Sequence, residues 1–243
     1  MSDFRRSSIE FKVWGRFALF TDPLTKIGGE KCSYHIPTYE ALKGVVKSIY
    51  WKPTIVWVID EVRVMKRIRT QTKGTKPQEY SGGNTLAIYT FLSDVEYQVK
   101  AHFEWNMHRH ELAEDRNEAK HHIVAKRMLE RGGRQDVFLG TRDCQSYVEP
   151  CKFGTGEGAY DIDGELAYGL MFHGFDYPDE TGDNKLHARF WQPTMVNGVI
   201  KFTRSEDCKV RKFVREMSVK KFEHGLNLLD VEKEEPLSLE DVT

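Results

Sequence analysis

Apolar and polar residues alternate at the start of the chain, with Ile9, Phe11 and Val13 set against Glu10, Lys12 and Trp14. The alternation predicts a first strand over 9–20 with one buried face. A loop rich in Gly, Asp and Pro follows from Thr21 to Pro37. At Thr38 the period changes: Tyr39, Leu42, Val45, Val46 and Ile49 recur at helical spacing behind a capping threonine. Pro53 closes that region and leaves Tyr50 at the C-terminal end of the helix. From Thr54 to about Thr70, Ile55, Trp57 and Ile59 lie on one side and Val56 and Val58 on the other, the pattern of a central strand. The turn Gly82-Gly83-Asn84 precedes a further strand in which Val95, Tyr97, Val99, Ala101, Phe103 and Trp105 alternate. A second helix is predicted from Asp115 as N-cap, with Glu118 completing a capping box, to the stop at Gly132-Gly133. Strand resumes over 145–153.

Strand, helix, strand, strand, helix, strand is the split βαβ plan. The predicted fold is therefore α+β, a ferredoxin-like (RRM-like) βαββαβ domain of the architecture that presents a sheet to RNA. It occupies 1–153 together with a basic hairpin. Beyond it, Gly154-Thr155-Gly156-Glu157-Gly158 lacks the Gly-Lys-Ser/Thr ending of a phosphate-binding loop and reads as a turn. Strand patterns at 166–177 and 186–203, joined by the polar turn 179–184, predict a small C-terminal antiparallel β-sheet within 154–222. Residues 223–243 are acidic and poor in aromatics, the composition of a frayed tail.

Composition narrows the function classes. Hydrophobic and charged fractions of 40% and 30% suit a globular protein, and no apolar run approaches the roughly 18 residues that cross a membrane. The N-terminal residues Met-Ser-Asp-Phe-Arg-Arg-Ser-Ser lack the apolar segment of a secretory signal, which makes the cytoplasm the expected location. Cys32, Cys144, Cys151 and Cys208 are widely spaced and form no Cys-x-x-Cys pair, the pattern of reduced thiols rather than a zinc or redox motif. The net charge of −1 hides a split. Residues 1–135 carry 23 Lys/Arg against 16 Asp/Glu, and the remainder carries 13 against 21. Such asymmetry hints at a polyanion held by the first part of the chain.

The candidate chemistry lies in Asp115-Arg116-Asn117-Glu118-Ala119-Lys120-His121-His122 and in Tyr50. Cleavage of RNA through its own 2′-hydroxyl needs a proton acceptor, charge stabilisation at phosphorus and a proton for the leaving 5′-oxygen. An imidazole can give or take a proton near neutral pH, so His121 is a candidate base or acid, Lys120 supplies fixed positive charge, and Tyr50 a phenol to orient the ribose or share proton transfer. The residues alone leave a second reading open, in which Lys-His-His is a solvated helix face and Tyr50 a core-edge aromatic. Histidines gather between His102 and His122, but without a His-Glu-x-x-His pair they predict no metal site, and no cofactor is expected. Arg63, Lys66, Arg67, Arg69, Lys73 and Lys76, flanked by Trp57 and Tyr80 and with no acid between Val62 and Gln78, form the expected RNA contact. Soluble decoration is the alternative there.

Four segments, in order, are similar to the type I-C subtype of the fifth CRISPR-associated protein family, the RAMP-superfamily endoribonucleases that process CRISPR precursor RNA. They are 20–31 (Phe-Thr-Asp-Pro-Leu-Thr-Lys-Ile-Gly-Gly-Glu-Lys), 48–54 (Ser-Ile-Tyr-Trp-Lys-Pro-Thr), 115–121 (Asp-Arg-Asn-Glu-Ala-Lys-His) and 132–140 (Gly-Gly-Arg-Gln-Asp-Val-Phe-Leu-Gly). The resemblance spans 9–222. It implies metal-independent cleavage at the 3′ base of the repeat hairpin, leaving a 2′,3′-cyclic phosphate and a 5′-hydroxyl. It further implies that Tyr50, Lys120 and His121 are catalytic, and Arg134, in the fourth segment, joins the expected RNA contacts. His122 matches no family role. The implied partners are the CRISPR repeat hairpin, the crRNA whose 5′ handle is retained, and the large and backbone subunits of a surveillance complex, with double-stranded DNA a candidate. A guide-capping subunit that does not cut is the rival expectation.

Overall fold

A computed structural model describes residues 7–23, 25 and 29–219, so the tail predicted at 223–243 lies outside the described residues. The chain runs through β1 (Ser8–Ala18), β2 (Lys31–Cys32), α1 (Tyr39–Ile49), β3 (Ile55–Val64), β4 (Thr70–Thr75), β5 (Ala87–Trp105), α2 (Glu118–Glu130), β6 (Val137–Phe138) and β7 (Gln145–Pro150). Then come β8 (Glu165–Ala167), β9 (Met171–Asp176), α3 (Pro178–Thr181), β10 (Lys185–Trp191), β11 (Thr194–Val196), β12 (Val199–Lys201) and β13 (Val210–Glu216).

The ferredoxin-like core is present. β7, β1, β5 and β3 lie side by side in that order, and every neighbouring pair is antiparallel. Inserting β5 between β1 and β3 is what the split βαβ plan requires. The predicted alternation sets the faces: Ile9, Phe11 and Val13 join Val95, Tyr97, Val99, Ala101 and Phe103 in the core, with Leu42, Val45, Val46 and Ile49 of α1 and Ala125 and Leu129 of α2. Each Val, Leu, Ile or Phe among them contributes about 1.5–3 kcal/mol by leaving water.

Both helices begin on side-chain caps. Thr38 accepts from Ala41 N at 3.2 Å, as the sequence suggests. The second start departs from expectation, because Asn117, not Asp115, is the N-cap, with its Oδ1 accepting from Lys120 N at 3.0 Å. Residues 110–115 form a 3-10 turn instead, which turns the Asp115 carboxylate toward the site described below. At the far end, Gly133 N donates to Met128 O and Gly132 N to Leu129 O, closing α2 where predicted.

The strand patterns after Gly158 divide between two sheets. β12, β11 and β8 extend the main sheet beyond β3, while β13, β10 and β9 form a sheet of their own. The second sheet braces α1. His173 stacks on Tyr39 with ring centroids 4.3 Å apart, Glu180 is ion-paired with Lys43 and Lys47, and Glu40 accepts from Phe175 N at 3.1 Å. The helix that ends at Tyr50 is thereby held from both sides. Among the described residues no helix is long and apolar enough to cross a membrane.

Candidate active site and RNA interface

β1 and β5 run antiparallel, and α1 returns along them, so the C-terminal end of α1 and the N-terminal end of α2 meet near Trp105 at the end of β5. Tyr50 is the C-cap of α1, with its N–H donating to Val46 O and its carbonyl accepting from Trp57 Nε1 at 2.7 Å. Trp57, expected to flank RNA, is thus a wholly buried core residue that fixes the Tyr50 backbone. His121, in the first turn of α2, is packed against Phe103 and Trp105.

The phenol oxygen of Tyr50 is 2.8 Å from His121 Nδ1, and His121 Nε2 is 2.8 Å from the carbonyl oxygen of Asp115. A carbonyl only accepts, so Nε2 carries the proton, and in the neutral ring Nδ1 accepts from the Tyr50 hydroxyl. Backbone geometry therefore selects the tautomer that points a basic nitrogen at the phenol. Burial and the negative charge of Asp115 raise the Tyr50 pKa, opposed by Arg134, so the phenol stays protonated until a base takes its proton. Lys120 donates to Asp115 Oδ1 at 2.6 Å, and the Asp115 carboxyl is held below the usual range by hydrogen bonds from Lys120 and Thr54. His121 is wholly buried, Tyr50 is 4% exposed, and the Lys120 side chain is 57% exposed. The three residues named from sequence lie together around Asp115, with His121 innermost and Lys120 at the surface.

Arg134 belongs to the same neighbourhood. Its N–H and that of Gln135 donate to Ser48 O at 3.0 and 3.1 Å, which docks the loop after α2 on the end of α1. Gly133 makes the turn at φ +109°, where a side chain would be strained. Gly140 closes the segment at φ +96°, and a Cβ there would fall 2.0 Å from Leu19 O. The Arg134 side chain is exposed beside Tyr50.

The basic segment separates into two kinds of residue. Arg69 and Lys76 are exposed on or beside β4, which pairs with the first part of β5 as a hairpin ending in the fully exposed Tyr80. Lys73 lies 3.2 Å from the centroid of the Phe17 ring, Lys66 pairs with Asp94 at 2.6 Å, and Arg67 pairs with Asp163 over the Tyr160 ring. Arg63 does not belong to the surface. It is 5% exposed and donates to Asp161, Gly156 O, Thr155 O and Gln98, pinning the loop after Gly154 to the sheet. Composition groups it with its basic neighbours, but β3 continues through Val64 and turns it inward against a carboxylate supplied from far along the chain. Asp115 is the site residue that the sequence reading used only as a cap; its place in a long charged turn carried no signal of convergence.

The hairpin begins near Leu92 and His121 packs on Trp105, so the length of β5 between them separates the two regions by about 40 Å. His122, beside the site, has its pKa lowered by burial and by Lys126, and its Nδ1 has no hydrogen-bond partner among the described residues. Among the described residues, no group of three or more His, Cys, Asp or Glu is arranged to hold a metal ion.

The sequence profile of a family described as CRISPR-associated protein (Cas_Cas5) matches residues 8–203. The chain is 28% identical over 223 residues to the CRISPR pre-crRNA endoribonuclease Cas5d of Mannheimia succiniciproducens, covering 79% of this chain and 93% of that protein. It is 26% identical over 175 residues to the Cas5d of Thermus thermophilus, covering 68% and 73%. A solved structure described as a CRISPR-associated protein superposes with a TM-score of 0.72 at 35% identity, covering 84% of this chain and 96% of the other.

Proposed function

The chain belongs to the Cas5 family of CRISPR-associated proteins, and from that premise we propose that it is a metal-independent endoribonuclease. It cuts CRISPR precursor RNA at the 3′ base of the repeat hairpin by attack of the 2′-hydroxyl. Cas5d relatives are named pre-crRNA endoribonucleases, and the match covers most of their length. The observation that carries the reading is the hydrogen bond from the Tyr50 hydroxyl to His121 Nδ1, with Nε2 fixed on the Asp115 carbonyl.

Chemistry follows from that geometry. The Tyr50 oxygen takes the proton of the ribose 2′-hydroxyl as its own phenol proton passes to His121, which spares the site a free phenolate. The 2′-oxygen then bonds to phosphorus, the P–O5′ bond breaks, and the products are a 2′,3′-cyclic phosphate and a protonated 5′-oxygen. Lys120, the exposed member of the set, supplies positive charge to the phosphoryl oxygens and gives the leaving 5′-oxygen its proton. His121 itself reaches RNA only through Tyr50.

After cutting, the protein keeps the 5′ handle of the crRNA within a type I-C surveillance complex, beside its large and backbone subunits, in the cytoplasm. Arg134 contacts the RNA near the cut, and Arg69, Lys73 and Lys76 follow the handle along the hairpin; double-stranded DNA is a further partner of the assembled complex. Cleavage of a hairpin repeat RNA in excess EDTA tests the reading, with a second RNA carrying one 2′-deoxy substitution at the cut. Cutting of the native RNA alone is expected. Cutting of both overturns 2′-hydroxyl attack, and cutting of neither leaves a guide-capping subunit.

A further inference from the structure

The mechanism above uses Asp115 only as a backbone carbonyl, yet three side chains of the site meet at its carboxylate. Oδ1 accepts from Lys120 Nζ at 2.6 Å, Oδ2 accepts from Thr54 Oγ1 at 2.7 Å, and Oδ2 stands 3.3 Å from His121 Nε2. An exposed Lys–Asp pair by itself means little. Two features set this one apart. Asn117 does the capping of α2, so the Asp115 carboxylate is not engaged in starting the helix. Thr54 is buried, at the turn between α1 and β3, and its hydroxyl donates to Asp115, which fixes the carboxylate's rotamer from a different part of the chain.

We propose that the Asp115 carboxylate is a positioning residue of this site, stabilising the imidazolium that forms when His121 receives the Tyr50 proton and holding the Lys120 ammonium on its solvent side, with Thr54 locking its orientation. The inference rests on the endoribonuclease reading. It separates two functions of one residue. The carbonyl selects the His121 tautomer and survives any substitution of the side chain. The carboxylate answers the positive charge that appears only during proton transfer, which makes its contribution specific to the reacting state. The groups that face His121 are Tyr50 from the end of α1, Asp115 from the turn before α2, and Phe103 and Trp105 from β5. Lys120 and Arg134 act one contact further out, on Asp115 and Tyr50. Asp115 is thus the negative charge against which an imidazolium would form.

Single-turnover cleavage of the cognate hairpin repeat RNA, measured from about pH 5 to 9 on the full chain, tests the proposal with Asp115→Asn, Thr54→Val and Thr54→Ser. Asp115→Asn is expected to lower the saturating rate about 10- to 100-fold with little change in affinity for a 2′-deoxy RNA. Its acid limb moves to lower pH, because the imidazolium no longer faces a negative charge. Thr54→Ser, which keeps the hydroxyl, is expected to cut nearly as the wild type, and Thr54→Val to fall toward Asp115→Asn. Thermal melting identifies a variant that is merely unfolded, and the Thr54 pair then decides. A wild-type chain that does not cut overturns the endoribonuclease reading and this inference together. A cutting wild type with an Asp115→Asn variant of equal rate and unmoved profile, or one that loses only RNA affinity, overturns this inference alone.

Discussion

Tyr50 and His121 lie 71 positions apart and share one hydrogen bond. Removing the Tyr50 hydroxyl deletes the atom that would meet the ribose and leaves the His121 ring in place. Tyr50→Phe is therefore expected to lower the cleavage rate by about 10²–10⁴ while RNA affinity stays within a few-fold. His121→Ala is expected to abolish cutting and to spare binding, since a wholly buried ring contributes no RNA contact of its own. Gel-shift titration beside cleavage on the same samples separates the two effects, and undiminished cutting by either variant removes that residue from the mechanism. At this scale the residue types were legible, because a Lys-His pair and a phenol are the groups that 2′-hydroxyl attack needs. Their meeting was not. No periodic signal in α1 or α2 states that their ends approach, and the Asp115 pattern is that of a helix cap, a place Asn117 takes in the fold.

Elements decide which basic residues can touch RNA. β3 carries Arg63 inward to Asp161, 98 positions away, whereas β4 leaves Arg69 and Lys76 in solvent. Arg63→Ala is expected to lower the melting temperature, because it removes a donor from Asp161, Gly156 O, Thr155 O and Gln98. Its effect on the salt dependence of RNA binding should be small. The double substitution Arg69→Glu with Lys76→Glu should do the reverse, leaving the melting temperature nearly unchanged and reducing the slope of log affinity against log salt by about 1–2. A salt series and a melting curve on both proteins check this; equal salt slopes for wild type and the double variant would place the RNA elsewhere. Composition marked 63–76 as one basic run. The pleat divided it, since residues on one strand face opposite ways and a run of charges says nothing about which face is covered.

Across the whole molecule, the second sheet ties its own buried groups to the helix that ends in Tyr50. His173, stacked on Tyr39, is depressed to about 3 by burial and by the Arg189 guanidinium, from an ordinary 6.5. The unfolded chain then binds a proton that the native state refuses. Stability is complete above pH 6.5 and declines as pH falls toward 3, at up to ~1.4 kcal/mol per unit. Burial alone would raise Glu180, but Lys43 and Lys47 hold it below its ordinary 4.5, so its contribution is lost only at lower pH. Melting temperatures should therefore begin to fall near pH 6.5, above the carboxylate range, and His173→Gln should flatten the curve between 6.5 and 4.5. Identical slopes for the two proteins would refute the assignment. The sequence by itself determined the ferredoxin-like element order, the α1 cap at Thr38, the end of α2 at Gly132-Gly133, and the residue types that 2′-hydroxyl attack would need. Those features depend on neighbours a few positions apart, where period and turn chemistry act. Only the tertiary structure decided that β8, β11 and β12 would extend the first sheet, that Arg63 would be spent inside, and that Asp115 would stand among Tyr50, Lys120 and His121. These contacts join distant segments through edge pairing and buried charge, and local pattern holds no record of which partner fills a strand edge or neutralises a buried guanidinium.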